Sequence, residues 1–417
     1  MHPADEVWIT GFGVILPGCD SADGLWDKLR RGESQLRLEP DPQDASNKIA
    51  MGRVRDFRPE RYLARVPERF YSRYDREVQL YLASVFSAVE HAGLELPGRT
   101  PGRVGIFDGC SRPMFSAWGM KKKRELESSL KEAYSRADLL LTPGLAVGMA
   151  ASLLEISGSV YTFNSTCCSG SVAIGQAFRE LKAGIVDVAI ATGHESSLLA
   201  PIFAMYREAG LLSLEDENPS AALRPYGDST GNVFGEGAVT MILERRAHAE
   251  ARGARCYAEL KGYRYGNNGS HPTTPDKHGN RAAQLIHAVL EDAQLLSEDV
   301  GFVVGHGNGV RLSDESEKSA MQRAFGETRR DVPLLSNKPI FGHTMGASSA
   351  LNAAAAALML HHQFIAPTLN AQSSRAHHQS ERGEARACRA GIALSSGLGG
   401  NNTVLLLQKP TRAGDIQ

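Results

Sequence analysis

The sequence has few cysteines, and their spacing excludes the usual cysteine-based scaffolds. Only six of its 417 residues are cysteine. None of them forms a Cys-x-x-Cys pair, so neither a zinc ribbon nor a disulfide framework is expected. Two of the six, Cys167 and Cys168, are neighbours in the chain. Because adjacent cysteines cannot easily bond to each other without strain, we expect two free thiols in a reducing, cytoplasmic setting.

The chain also lacks a charge excess and long apolar runs. Its formal net charge of -1 argues against a nucleic-acid-binding protein, which usually has a marked basic excess. Its apolar runs are short or interrupted by glycine and polar residues, so no membrane span is expected. The first residues lack the basic-then-apolar pattern of a secretory signal. What is present, 42% hydrophobic and 22% charged residues, is typical of a large globular protein with more than one domain-sized unit.

Short strand-like runs alternate with helical runs along the whole chain. The first half has strand-like runs at 6–15, 103–109, 158–166 and 186–193, and helical runs at 22–32, 76–94 and 171–184. The second half repeats this rhythm, with strand-like runs at 255–266 and 300–307, helical runs at 282–295 and 342–362, and two strands within 391–408. This alternation predicts two α/β halves with a parallel sheet, meeting near 244–254.

A charged run at 121–136 predicts a further helix. The simpler interpretation is a solvated face, and the alternative is a docking surface for an acidic partner.

The two neighbouring cysteines lie where a strand turns into a helix. The segment 164–175 reads NSTCCSGSVAIG, with a tight polar turn before an apolar helical run. Such a turn lifts a side chain above the sheet at a helix N-terminus. The free N–H groups and the helix dipole there favour a thiolate and a developing oxyanion. A nucleophilic cysteine and a buried structural cysteine both fit this pattern.

Two histidines lie near the ends of other strand-like runs. They favour a nucleophilic cysteine over a buried structural one. His306 lies at the end of the strand-like run at 300–307, and His343 lies at the start of the alanine-rich helical run at 342–362. Lys338 lies shortly before His343 in the same loop. Because ligands bind at the carboxyl ends of strands in open parallel sheets, these side chains are expected near the cysteine turn.

Several motifs, in this order along nearly the whole chain, resemble those of the β-ketoacyl-acyl-carrier-protein synthases of the elongating type. STCCSG resembles the nucleophile motif, in the register that makes Cys167 the nucleophile. HGNGVRLSDESE at 306–317 and SNKPIFGH at 336–343 resemble the two histidine loops. RPYGDSTGNVFGEGA at 224–238 and SSGLGGNN at 395–402 resemble two further family segments.

The resemblance implies a fold and a reaction. The fold would be the thiolase fold, with α-β-α-β-α layers and two similar halves: 1–250 carrying the nucleophile and 251–417 carrying the histidines. An acyl group would move from an acyl carrier protein to Cys167, and malonyl-carrier would lose carboxylate to give an enolate that attacks the thioester. His306 and His343 would stabilise the enolate and Lys338 would orient their loops. Backbone N–H groups of Cys167 and Leu398 would form the oxyanion hole.

The resemblance also implies partners and supporting residues. Substrates would arrive on carrier phosphopantetheine, with no metal or redox cofactor, and the chain would pair with itself or with a chain-length-factor-like homologue. No nucleic acid or membrane partner is implied. The implied supporting residues are Asp314, Glu317 and Asn402 near the site, and Asn308, Val310, Ile202, Tyr206 and Cys110 at the pantetheine and acyl subsites.

Four positions depart from the family pattern. Asn308 and Val310 stand where threonines usually contact pantetheine, and losing one such hydrogen bond costs about 1 kcal/mol. Leu398 stands where a gating phenylalanine is usual, and Ile202 where housekeeping relatives have glycine. These changes favour a specialised polyketide or polyene pathway over ordinary fatty-acid synthesis.

Three alternatives stay open on the sequence. A catalytically silent chain-length-factor subunit shares the fold but usually lacks the nucleophilic cysteine. A thiolase would need a second catalytic cysteine in the turn at 395–402, which has none, and Cys388 lies outside that turn. A non-catalytic scaffold would keep the fold alone.

Overall fold

The computed structural model describes residues 6–72, 74–96, 103–130, 136–215, 217–326, 332–371 and 382–410. The strands in this part of the chain are β1 Val7–Ile15, β2 Arg37–Pro40, β3 Lys48–Met51, β4 Val104–Cys110, β5 Val160–Phe163, β6 Val188–Glu195, β7 Gly237–Arg245, β8 Ala258–Asn267, β9 Val300–Val304, β10 Leu334–Leu335, β11 Phe364–Ile365, β12 Glu384–Ala385, β13 Ala390–Gly397 and β14 Asn401–Gln408.

The helices of the described residues carry most of the buried apolar side chains that cover these strands. They are α1 Ala22–Arg31, α2 Glu68–Tyr71, α3 Arg76–His91, α4 Phe115–Glu127, α5 Leu145–Leu153, α6 Ser169–Lys182, α7 Ala200–Glu208, α8 Arg246–Ala251, α9 Asn280–Ala293, α10 Arg311–Phe325, α11 Lys338–Phe341 and α12 Ser348–His362.

Most predicted elements are present with ends shifted by a few residues, and two differ in a way that matters. The helix predicted over 342–362 begins only at Ser348, because the backbone of His343 bridges to the chain at Val233 and Gly235. The charged helix predicted over 121–136 begins earlier, at Phe115, and ends at Glu127; residues 131–135 lie outside the described residues. Its lysines pair with nearby acids, as Lys122 does with Glu125 at 3.1 Å.

The main sheet has ten strands, and its two halves share one strand order. From one edge the order is β5-β4-β6-β7-β1, then β8-β14-β13-β9-β10. Numbered within its own half and read from the outer edge of the sheet to its centre, each half has the order third, second, fourth, fifth, first. The predicted parallel pairing holds for β4 with β5 and β6, and for β9 with β10 and β13. The other pairs are antiparallel, so the sheet is mixed; the turn between β13 and β14 is too short for a parallel crossover.

Helices cover both halves of the sheet and also lie between them. Helices α6 and α12 pack against each other and against strands of both halves. Helix α3 covers β1 and β7 on one outer side, and α9 covers β8 and β14 on the other. Helix α12 is buried from Ser348 to Leu360, and its run of alanines lets the two halves approach closely. The expected α-β-α-β-α layering is confirmed. In the described part of the chain, no helix combines the length and apolarity needed to cross a membrane.

Candidate active site

Cys167 lies on a sharp turn between β5 and α6. A single 3₁₀ turn at Thr166–Cys168 leads directly into the helix. Thr166 has a left-handed backbone with φ of +53°, which is costly for a β-branched residue. Its hydroxyl donates to the carbonyl of Leu398 at 3.0 Å, which ties the strained turn to the C-terminal half. The predicted elbow is therefore present, and contacts from the other half of the chain hold it.

The two neighbouring thiols point into different surroundings. The Cys167 sulfur lies 3.1 Å from Nε2 of His343. The Cys168 sulfur lies 3.4 Å from the carbonyl of Ser395 and 3.6 Å from that of Asn401, in the β13–β14 region. Burial raises the pKa of both thiols, and the nearby Cys167 adds to the effect on Cys168. Only Cys167 therefore faces the histidines.

His306 and His343 meet edge to face beside the Cys167 sulfur. Their ring centroids lie 5.2 Å apart, with the ring planes at 88°. One reactive atom from each of Cys167, His306 and His343 lies within 4.8 Å of the others, a separation that would also suit a metal ion. Burial lowers the pKa of both imidazoles well below its usual value, and the charge of Lys338 lowers it further. Both rings are therefore neutral near pH 7.

The loop that carries His306 is held by buried charged groups. The Glu317 carboxylate accepts the backbone N–H groups of His306 at 2.5 Å and Gly307 at 2.9 Å. It also accepts the hydroxyl of Tyr226 at 2.9 Å. The Lys338 ammonium donates to the carbonyl of His306. Burial lowers the pKa of Lys338 to about 8, although Glu317 acts in the opposite direction.

Asp314, in the first turn of α10, binds the neighbouring segment that contains Tyr226. Its carboxylate accepts the N–H of Tyr226 at 2.8 Å and the hydroxyl of Ser229 at 3.1 Å. Burial raises the pKa of Asp314 to about 7.

The cysteine turn does not activate its thiol in the way that the sequence predicts. Burial raises the pKa of Cys167 to about 11, while the cations of Arg112 and Lys338 act to lower it. The resting group is therefore a thiol, because loss of solvation outweighs the stabilisation expected at a helix N-terminus. The neutral imidazole of His343, at 3.1 Å, is placed to receive the thiol proton.

The glycine-rich turn between β13 and β14 packs directly on the nucleophile. A Cβ at Gly397 would lie 2.3 Å from Oγ1 of Thr166 and 3.3 Å from the backbone nitrogen of Cys167, so no side chain fits there. Asn402 holds the turn: its amide donates to Asn268 at 2.7 Å and accepts from Ser396 at 2.9 Å. The main chain next to Leu398 is thus brought to the backbone of Cys167.

An apolar cluster surrounds the reactive sulfur. Cys167 packs with buried Ile202 and Tyr206 of α7, and Leu398 packs against the same cluster. Ile202 is wholly buried. These three residues therefore lie together, as the resemblance implies.

Two other predicted pocket regions lie apart from this cluster. The Asn308 side chain accepts the backbone N–H of Val310 at 3.1 Å, within its own loop. The Cys110 thiol donates to Glu77 at 3.5 Å. It lies with Glu77 and His194 in a second buried cluster, whose reactive atoms are also within 4.8 Å of one another.

Arg112 is a site residue that the sequence reasoning missed. It follows β4, and the neighbouring carbonyl of Ser111 accepts the amide of Asn164 at 2.9 Å, beside the cysteine turn. Its charge acts on Cys167, on His343 and on the hydroxyl of Tyr206. The signal was available, because Arg112 comes directly after the carboxyl end of a buried parallel strand.

Comparisons with known proteins agree with this geometry. Over residues 4–249 the chain matches the family described as Beta-ketoacyl synthase, N-terminal domain, and over residues 257–372 the corresponding C-terminal domain. It is 30% identical to the 3-oxoacyl-[acyl-carrier-protein] synthase 2 of Vibrio cholerae, over 88% of each chain.

Two solved structures have the same fold. One is a type II PKS acyl-carrier protein in complex with its ketosynthase bound to the hexaketide, with a TM-score of 0.87, 25% identity and coverage of 97% of this chain and 99% of that one. The other is the ishigamide ketosynthase/chain length factor, with a TM-score of 0.86, 27% identity and the same coverage. Together with the two family matches, they show that this chain belongs to the β-ketoacyl synthase family of carbon–carbon bond-forming acyltransferases.

Proposed function

We propose that this chain condenses an acyl group held on Cys167 with a malonyl group held on an acyl carrier protein, in a type II polyketide or polyene pathway. The observation that carries the proposal is the convergence of the Cys167 sulfur with two neutral imidazoles in a buried pocket. The departures at Leu398 and Ile202 and the similarity to a type II PKS ketosynthase favour such a pathway over housekeeping fatty-acid synthesis.

The first half-reaction transfers the acyl group to the enzyme. The Cys167 sulfur attacks the carrier thioester, and its proton passes to His343 and then to the departing pantetheine sulfur. The backbone N–H groups of Cys167 and Leu398 hold the oxyanion of the intermediate. Neutral His343 suits this transfer because a protonated ring could not accept the thiol proton.

The second half-reaction forms the carbon–carbon bond. The malonyl carboxylate leaves as carbon dioxide, and the electron pair of the broken carbon–carbon bond forms an enolate. Its oxygen accepts hydrogen bonds from His306 and from the tautomer of His343 that carries its proton on Nε2. The enolate carbon attacks the carbonyl carbon of the Cys167 thioester, the carbon–sulfur bond breaks, and the departing Cys167 thiolate takes up one proton from solvent water. Lys338 and Glu317 act by positioning His306, and no step requires a metal or a redox group.

The test follows both half-reactions in one preparation. Acyl-carrier donors should acylate the parent protein, and labelled malonyl-carrier should then release carbon dioxide and give a β-ketoacyl-carrier product. Cys167→Ala should give no acyl-enzyme by mass spectrometry, whereas Cys168→Ala is the matched control and should retain it. A parent protein that neither loads acyl groups nor decarboxylates malonyl-carrier would make the silent-subunit alternative correct.

The proposed partners are an acyl carrier protein and a second subunit. Strand β5 ends the sheet, and in the described residues it pairs only with β4. Tyr161 on this strand is 45% exposed, although an unpaired apolar edge is normally covered. We propose that a second copy or a homologous chain pairs with this edge. We also propose that the chain divides into an N-terminal half, 1–250, and a C-terminal half, 251–417. Light scattering at micromolar concentration should give a dimer that Tyr161→Lys weakens, and a monomer with and without candidate partners would contradict this.

A further inference from the structure

A positively charged side chain lies beside the nucleophile without an acidic partner. Arg112 is partly buried, and in the described part of the chain no carboxylate lies within ion-pair distance of its guanidinium. Its guanidinium donates to the hydroxyl of Ser111, next to it in the chain, in a long contact of 3.4 Å, and it also forms a side-chain hydrogen bond with Tyr206. A guanidinium has five N–H donors, and losing solvation without compensating acceptors is costly. Arg112 therefore has donors to spare at the site.

Three neighbours place this cation at the acyl end of the site. The Tyr206 hydroxyl interacts with the guanidinium, and Tyr206 packs in the apolar cluster that contains Cys167. Among the charges that lower the pKa of the Cys167 thiol against the effect of burial, Arg112 is the strongest. Its charge also acts on His343, whose Nε2 lies 3.1 Å from the Cys167 sulfur.

The buried carboxylate of Glu195 already binds other groups. Glu195 accepts the backbone N–H groups of Ser111 at 3.1 Å and Gly346 at 3.4 Å, and also the hydroxyl of Ser197. Burial raises the pKa of Glu195, while the Ser197 hydroxyl and the charge of Arg112 act to lower it, so the two charges act on each other without forming an ion pair. In the described part of the chain, Ser111 and Tyr206 leave guanidinium donors available, so an acyl group on Cys167 can supply a further acceptor.

We infer that Arg112, with Tyr206, selects acyl groups that carry an oxygen acceptor close to the thioester, over plain alkyl chains of the same shape. The inference rests on the proposed function, because the acyl group must be held on Cys167. Either a β-keto oxygen or a carboxylate supplies the shared chemistry. Arginine binds both strongly, since a charge-assisted hydrogen bond is about twice as strong as a neutral one.

The apolar side chain of Ile202, beside Cys167, limits which acyl groups can enter. Ile202 fills the apolar cluster beside Cys167 and is wholly buried. A chain attached to the sulfur therefore meets the apolar side chain of Ile202 and also the charge of Arg112. An alkyl chain would leave the guanidinium desolvated and unpaired, and this penalty discriminates more strongly than an added methylene does.

The experiment compares carrier-bound donors in shape-matched pairs. Acetoacetyl is paired with isovaleryl, which replaces the keto oxygen by a methyl group, and succinyl is paired with 4-methylpentanoyl. Initial acylation rates of Cys167 are measured by mass spectrometry. The parent protein should load at least one oxygenated member about 10-fold or more faster than its alkyl match, the size expected for one charge-assisted hydrogen bond. The two pairs separate a keto oxygen from a carboxylate as the acceptor.

Variants then assign the preference to the guanidinium. Arg112→Met should reduce the oxygenated-to-alkyl ratio by about 10- to 100-fold, and Tyr206→Phe should reduce it less. Arg112→Lys should keep part of it, because a lysine keeps the charge but not the planar fork. Arg207→Met is the matched control, since Arg207 lies next to Tyr206 in α7 but pairs with Asp41. The ratio cancels any general effect of Arg112 on thiol reactivity, because both members of a pair meet the same thiol.

Each outcome decides the matter. Equal loading within both pairs by the parent, or a ratio unchanged in Arg112→Met, overturns the inference and leaves the proposed function standing. A parent protein that loads none of the four donors, while Cys167 still reacts with iodoacetamide, overturns the proposed function and the inference with it. Circular dichroism shows whether Arg112→Met is folded; if it is not, Tyr206→Phe and Arg112→Lys decide by the same ratio.

Discussion

The buried ammonium of Lys338 donates to the main-chain carbonyl of His306, and the main-chain N–H of His306 donates to the carboxylate of Glu317. The backbone of His306 is thus held between a cation and an anion, both buried. Neither charged group needs to touch substrate to matter, because together they fix the direction of the imidazole. Their own electrostatics are linked, since Glu317 acts to raise the pKa of Lys338 against the effect of burial.

This arrangement predicts non-additive losses when the two charges are removed. Lys338→Met and Glu317→Gln should each lower the free energy of unfolding by about 2–3 kcal/mol, the value of hydrogen bonds to charged groups. The double variant should lose less than the sum, because each single change leaves the other charge buried without its partner. Denaturant unfolding measures the cycle. The exposed pair Lys28 and Glu33, 2.8 Å apart, is the control, and its losses in the free energy of unfolding should be additive. Additive losses at Lys338 and Glu317 would show that these two charges are independent.

The sequence predicts the cysteine turn, the histidine loops and most elements, because glycines and strand ends mark them locally. Arg112 was missed because its role depends on what packs around it, namely Tyr206 and the Cys167 turn. The thiolate expected at the helix N-terminus is wrong for the resting protein, since burial by residues distant in sequence raises the pKa of Cys167. The mixed sheet was likewise not predicted, because within each half the last strand pairs antiparallel with both of its neighbours, β7 with β1 and β6, and β14 with β8 and β13.

The two histidines should separate the half-reactions. His306→Ala and His343→Ala should each slow decarboxylation of malonyl-carrier by about 10²–10³, as expected for the loss of one donor to a developing oxyanion. Acyl loading should persist in His306→Ala and be slower in His343→Ala, because only His343 contacts the Cys167 sulfur in this structure. Release of labelled carbon dioxide and acyl mass are followed separately. His361→Ala, at the end of α12, is the control, and parent-rate decarboxylation by both site variants would refute the two-histidine mechanism.

The reactivity of Cys167 should have an unusual pH dependence. With burial raising its pKa to about 11, the thiolate fraction grows throughout the range from pH 7 to 10. Alkylation by iodoacetamide in a Cys168→Ala background should therefore rise about tenfold per pH unit without the plateau near pH 9 of an ordinary thiol. Arg112→Met should be slower at each pH, because removing a nearby cation raises the pKa further. A plateau below pH 9 in the parent protein would contradict the effect of burial.

Ile202 should limit the length of the acyl group. Its side chain is wholly buried in the apolar cluster that surrounds Cys167, so Ile202→Ala should open space beside the sulfur. We expect longer acyl chains to load faster relative to short ones, at a cost of about 2–4 kcal/mol in the free energy of unfolding. Ile286→Ala is the matched control, because Ile286 is equally buried but lies in a separate cluster that includes α9. If the two variants lose similar stability and neither changes the chain-length profile, Ile202 does not bound the acyl site.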